Sequence, residues 1–103
     1  MRTYELMIIH RPELDEAEVR AQVEELSRAI TEEGGAVEPV DFWGKRRFTY
    51  EIDHQTEGWY SVLLFRSEPP ILERLDRALS LADTVIRHKI VHREDLDRAA
   101  KTG

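Results

Sequence analysis

Cysteine is absent from the 103 residues, and so is asparagine. The first absence excludes disulfides, thiol catalysis, iron–sulfur clusters and cysteine-ligated zinc, and it fits a reducing compartment. Long apolar runs are missing too. The longest, Leu6–Ile9 and Val62–Phe65, have four residues, far short of a membrane span. The opening Met1-Arg2-Thr3-Tyr4-Glu5 lacks the apolar stretch of a signal peptide. A cytoplasmic protein with no membrane association is expected. With 41% hydrophobic residues in 103, one core and one domain are expected as well.

Positive charge is in deficit: 15 Lys and Arg face 21 Asp and Glu, a net charge of −6. Taken whole, that balance repels a polyanion. The distribution alters the conclusion. Residues 13–33 hold eight acids (Glu13, Asp15, Glu16, Glu18, Glu24, Glu25, Glu32, Glu33) against Arg20 and Arg28, so this segment carries the whole excess. Two other stretches are basic, Lys45-Arg46-Arg47 and the run from Arg87 through Lys89 to Arg93. The Debye length is about 8 Å at physiological salt, so an acidic back and a basic front act nearly independently.

Hydrophobic periodicity places the elements. Thr3–His10 reads as a strand that is apolar on both faces, hence central. Asp15 caps a helix, with Glu18 completing a capping box, and Val19, Val23, Leu26 and Ile30 form its inner stripe. Gly34-Gly35 ends it. A second strand is expected over Ala36–Phe42, at an edge because Pro39 has no N–H to give. Gly44 marks a bulge, Phe48, Tyr50 and Ile52 resume the alternation, and Asp53–Gly58 is expected to turn. Trp59–Arg66 forms a third, central strand. Pro69-Pro70 opens a second helix with Leu72, Leu75 and Leu79 inside, and Val85–His92 is a fourth strand. The order strand, helix, strand, strand, helix, strand gives an α+β, ferredoxin-like domain over residues 1–92, with a four-stranded antiparallel sheet and both helices on one face. Leu6, Ile8, Leu26, Ile30, Val37, Leu63, Phe65, Leu75 and Leu79 are the expected core. Residues 93–103 are polar and are expected to form a flexible tail. The opposite sheet face, with Glu5, Met7, Ile9, Tyr60, Val62 and Leu64, has no helix left to cover it, which points to a partner.

Two basic constellations carry the binding chemistry. In Trp43-Gly44-Lys45-Arg46-Arg47-Phe48, cations suited to phosphates stand among rings suited to unpaired bases. Arg87, Lys89 and His92 form the second, beside Arg2. Both patterns also serve to keep an edge strand from aggregating. His88 and His92 stand four apart, a zinc spacing on a helix but not on a strand. No Ser/His/Asp grouping and no glycine-rich phosphate loop occur. His10-Arg11 follows the first strand where acylphosphatase-like enzymes hold phosphate, but those enzymes also need an asparagine. The third strand is partly similar to the RNA-recognition-motif signature, without its leading cation.

Set side by side, these blocks resemble a known family, the bacterial ribosomal small-subunit protein six. The similarity covers about residues 1–93. It is carried by Met1-Arg2-Thr3-Tyr4-Glu5, Pro12-x-Leu14-Asp15, Gly35, the block Trp43-Gly44-Lys45-Arg46-Arg47-Phe48-Thr49-Tyr50-Glu51-Ile52, Gly58-x-Tyr60 and Val85-Ile86-Arg87. The resemblance implies a ribosomal, non-enzymatic protein with no cofactor, no metal and no small-molecule substrate. It implies binding to the central domain of small-subunit rRNA as a heterodimer with small-subunit protein eighteen. It also implies that Arg2, Lys45, Arg46, Arg47 and Arg87 lie in regions touching RNA or partner; Lys89 and His92 depart from the family's pattern, and with Trp43 they are binding candidates on their own chemistry. The alternative from the fold alone is a homodimeric ligand-binding or regulatory module using the open face.

Overall fold

The structure is a computed structural model that describes the backbone of residues 1–102 and the side chains of residues 1–98. The chain runs β1 (Arg2–His10), α1 (Glu16–Glu32), β2 (Ala36–Val37), β3 (Asp41–Ile52), β4 (Gln55–Ser67), α2 (Ile71–Leu81), β5 (Val85–His92) and α3 (Glu94–Thr102). β1 lies between β4 and β5, and every pairing is antiparallel. β2 and β3 occupy successive stretches of the same outer edge of β4. The single second strand expected from sequence is therefore interrupted. Pro39 has no N–H to donate, and the ladder resumes only at Asp41. The expected arrangement of two central and two edge strands holds, with both edges as foreseen.

Local chemistry sets the helix ends. The Asp15 carboxylate accepts from the Glu18 N–H at 2.8 Å, and the Glu18 carboxylate accepts from the Asp15 N–H at 3.3 Å. These bonds satisfy donors that the first turn of α1 leaves open. Gly34, at φ +91°, turns the chain out of α1. Glu33, unfavourable beside the negative end of that helix, is paired with Arg74 of α2.

Tyr4, Leu6 and Ile8 of β1 face the helices and meet Phe65 and Leu63 of β4, Val19, Val23 and Ile30 of α1, and Ile71, Leu75 and Leu79 of α2. Each such side chain, fully buried, contributes about 1.5–3 kcal/mol before chain entropy is set against it. Leu26 and Val37, expected inside, are only partly buried at the margin of this cluster. His10 is also buried on this side, and desolvation pushes its pKa down, opposed by a hydrogen bond with Gln22.

Two connections differ from expectation. Asp53–Gly58 is not a loop; only Asp53 and His54 turn, at φ +49° and +62°, and the β3–β4 hairpin continues to them. Asp and His tolerate this left-handed region better than most residues, and two such residues in succession suit a tight hairpin. The segment expected to be an unstructured tail forms α3 instead, Gly103 lying outside the described residues. The reason is polar anchoring rather than apolar burial. The Arg93 N–H donates to the Thr3 carbonyl at 2.8 Å, and the Asp97 carboxylate accepts from the Thr3 N–H at 2.8 Å. Asp97 also holds His92 Nε2 at 2.6 Å, and Arg93 bonds Glu5 at 3.2 Å and Asp95 at 2.9 Å. Leu96 comes to rest near Thr3 and Leu64, so one end of the open sheet face is covered after all.

Hydrogen bonds from His92 and Thr3 lower the Asp97 pKa from 3.8 to about 2. A carboxyl whose folded pKa is depressed adds stability above its unfolded pKa and loses it as pH falls through the folded one. Asp97→Asn should therefore melt below the parent protein at pH 5 and above. That gap should close as pH falls from 3.8 towards 2, as thermal melts across this range would read; a gap independent of pH contradicts the anchoring.

Candidate nucleic-acid interface

Strand register lays the open face out in rows. Gly44 pairs Tyr60, Tyr60 pairs Ile9 and Ile9 pairs Arg87. The next row is Asp41, Val62, Met7 and Lys89, and the one after it holds Leu64, Glu5 and Val91. With strands about 4.8 Å apart, four strands make a row about 14 Å wide. Parts of the two basic constellations, forty residues apart in sequence, thus stand at opposite margins of an apolar floor.

A bulge at Trp43-Gly44 decides which way the first constellation points. Gly44 sits at φ +88°, a conformation that costs other residues dearly, and the register shifts between Phe42 and Gly44. The extra residue leaves both Phe42 and Lys45 on the helix side, and it sets Trp43 on the open side. There the Trp43 ring stacks on Tyr60, centroids 6.0 Å apart and planes 7° apart. Its Nε1–H donates to the Asp41 carboxylate at 2.9 Å. The Arg46 guanidinium lies 5.1 Å from the Trp43 ring, and Phe48 meets Tyr60 edge-on at 6.0 Å. On the helix side, Phe42 stacks on Trp59 at 5.9 Å, with Arg20 4.1 Å from the Phe42 ring and Lys45 4.9 Å from the Trp59 ring.

The basic triplet is therefore divided: Arg46 belongs to the open face, Lys45 to the other, and Arg47 follows Lys45 by alternation. None of these three is neutralised by the acidic helix. Among the described residues, Arg2, Lys45, Arg46, Arg47, Arg87 and Lys89 form no ion pair. The second constellation is divided as well. Arg87 and Lys89 flank a groove of about 550 Å³ whose floor is Met7, Ile9, Ile52 and Tyr60. His92 lies on the helix side, its ring 5.3 Å from Tyr4 and its Nε2 on Asp97. His88 is on that side too, 2.7 Å from Asp76. The two histidines thus serve separate carboxylates, and no metal-binding cluster occurs among the described residues. Arg2 lies at the far end of β1, about 23 Å from the Ile9 row. There it lines a different groove with Arg66, His92, Asp97 and Arg98.

Sequence reasoning missed Asp41 and Ile52. Asp41 shares a strand face with Trp43 because the two are two residues apart, and that spacing was open to view. Ile52 reaches the groove only because the hairpin arm folds back, tied at its tip by Arg11 to Asp53 at 3.4 Å. No local signal announces that contact. No helix of the described chain is long and apolar enough to cross a membrane.

Comparison with known proteins bears on the family and the fold. The family model for ribosomal protein S6 matches residues 3–92. Small ribosomal subunit protein bS6 of Saccharopolyspora erythraea is 50% identical over 93 residues, 90% of this chain and 79% of that protein. The bS6 of Symbiobacterium thermophilum is 47% identical over 91 residues, 88% of this chain and 96% of the relative. The crystal structure of 30S ribosomal protein S6 from Thermotoga maritima superposes with a TM-score of 0.91 at 32% identity, covering 98% of this chain and 95% of that one.

Gly44→Ala places a Cβ at positive φ and should cost about 1–2 kcal/mol in urea unfolding. It should also perturb the near-ultraviolet signal of the Trp43–Tyr60 pair. Full stability with an unchanged spectrum would show that the bulge does not set the orientation of Trp43.

Proposed function

The chain belongs to the ribosomal protein S6 family, a structural and non-enzymatic component of the small ribosomal subunit, and on that premise we propose that it binds the central domain of small-subunit rRNA together with small-subunit protein eighteen. One observation carries the RNA half: Trp43, Arg46, Arg87 and Lys89 converge on one sheet face with their charges unpaired among the described residues. Lysines and arginines in that state neutralise phosphates and release counterions, and exposed rings take unpaired bases. Lys45, Arg47 and Arg2 extend the cationic surface to the hairpin's other side and to the far end of β1. His92 serves the same surface indirectly, by fixing Asp97 and with it the start of α3 beside Arg2.

The partner half follows from charge. The net charge of −6 leaves the basic front with few cations to hold RNA by itself. A basic partner supplies the missing positive charge. It is drawn to the acidic outer face of α1 rather than to the open sheet face or an edge, where the sequence alone suggested a partner, because the cationic rim of that face repels it. The protein acts in the cytoplasm, on the ribosome.

Gel-shift titrations of a central-domain rRNA fragment test the pairing. Affinity should be weak for the chain alone and rise at least tenfold with protein eighteen present. With about four phosphates contacted, log affinity should fall against log salt with a slope of roughly −3 to −4. Arg46→Gln with Arg87→Gln should flatten that slope. Equal affinity with and without the partner refutes co-binding. A chain that stays out of the small-subunit peak of a sucrose gradient, and scatters light as a stable dimer, favours the ligand-binding module instead.

A further inference from the structure

Resting on the rRNA reading above, the geometry points to one definite occupant for the groove at the Ile9 row: a single unpaired nucleobase of rRNA, laid flat on Met7, Ile9 and Ile52, with its flanking phosphates on Arg87 and Lys89. The groove has the size and chemistry for this. Its volume is about 550 Å³, and its floor is thioether, aliphatic and phenol ring. The Tyr60 ring stacks on a base of any identity, and the thioether and aliphatic side chains beside it take the base out of water.

The two cations stand two residues apart on one face of β5, hence about 6.6 Å from each other. Neither is paired with a carboxylate of the described chain, so both are free to meet anions at the rim. The ring system of Trp43, Tyr60 and Arg46 borders the groove along the same row, so a backbone crossing the face passes from cation to ring to cation. The hairpin arm supplies the wall. Ile52 lines the groove, and at the arm's tip Arg11 bonds Asp53 at 3.4 Å and donates to the Asp83 carbonyl at 2.6 Å. An acidic peptide matches the cationic rim, but its carboxylates leave the apolar floor uncovered.

Small subunits that contain this chain with p-benzoylphenylalanine in place of Ile52 supply the test. On irradiation, the dominant adduct should be to one unpaired rRNA nucleotide, located by the stop it causes in reverse transcription. Adducts to protein alone, or none from a chain that sediments with the subunit, overturn the pocket and leave the rRNA reading standing. Subunits carrying Ile52→Ala give a second measurement free of the bulky probe. Base-specific chemical modification of that nucleotide should increase about threefold or more as its stacking weakens, with paired neighbours unchanged; an unchanged nucleotide also overturns the pocket. Loss of the unsubstituted chain from the small-subunit peak would instead strike down the underlying rRNA reading, and the pocket with it.

Discussion

β1 is paired along both edges and buried on one face, and those two constraints fix where every other functional group stands. Its register against β4 and β5 runs without slip from Tyr4 to Ile9. Shifting either ladder by one residue would exchange the faces of the whole strand. Tyr4, Leu6 and Ile8 would then meet water, and Arg87 and Lys89 would turn into the helix layer. Burial of that strand therefore does two things at once: it stabilises the core, and it aims two cations at a surface they never touch themselves.

Charge is sorted by the same layering. Both helices pack on one side of the sheet, so the acids that fill the outer face of α1 lie a helix and a sheet away from the open face. That separation exceeds the Debye length of about 8 Å at physiological salt. Among the described residues, the one cation–ring contact from α1 is made by Arg20, which sits over Phe42 and also bonds Glu16 at 3.4 Å. Net charge alone misleads about such a molecule, because a phosphate backbone in contact with the front senses the front first.

The parts of this arrangement that obey a period were legible in the sequence, and the parts that depend on a long-range contact were not. Alternation named β1 and β4 as central, the four-and-three spacing named the stripe of α1, and Pro39 and Gly44 each marked a real irregularity of the edge strand. The family was legible from the block around Trp43. The division of Lys45, Arg46 and Arg47 between two faces was not, since it turns on which side of the bulge counts as the extra residue. α3 was missed because composition argues only about apolar burial, and this helix is held by Asp97, His92, Arg93 and Glu5. The long hairpin was missed because Asp53-His54 lacks the asparagine–glycine pair that usually declares a two-residue turn.

These two missed elements frame the open face. α3 closes one end, where Leu96 lies near Leu64 and Thr3, and the hairpin arm closes the other through Ile52. An uncovered sheet face with Met7, Ile9, Tyr60, Val62 and Leu64 would be a large apolar patch, prone to nonspecific association. With both ends covered, the free area contracts to the rows of Ile9 and Met7. There the cations of β5 stand at one margin and the rings of β3 at the other. The apolar surface that remains is the part accompanied by positive charge, so it discriminates between a second copy of the chain, which would bring like charges together, and an anion that can also stack. Specificity here comes from what the covers remove from the face as much as from the residues left upon it.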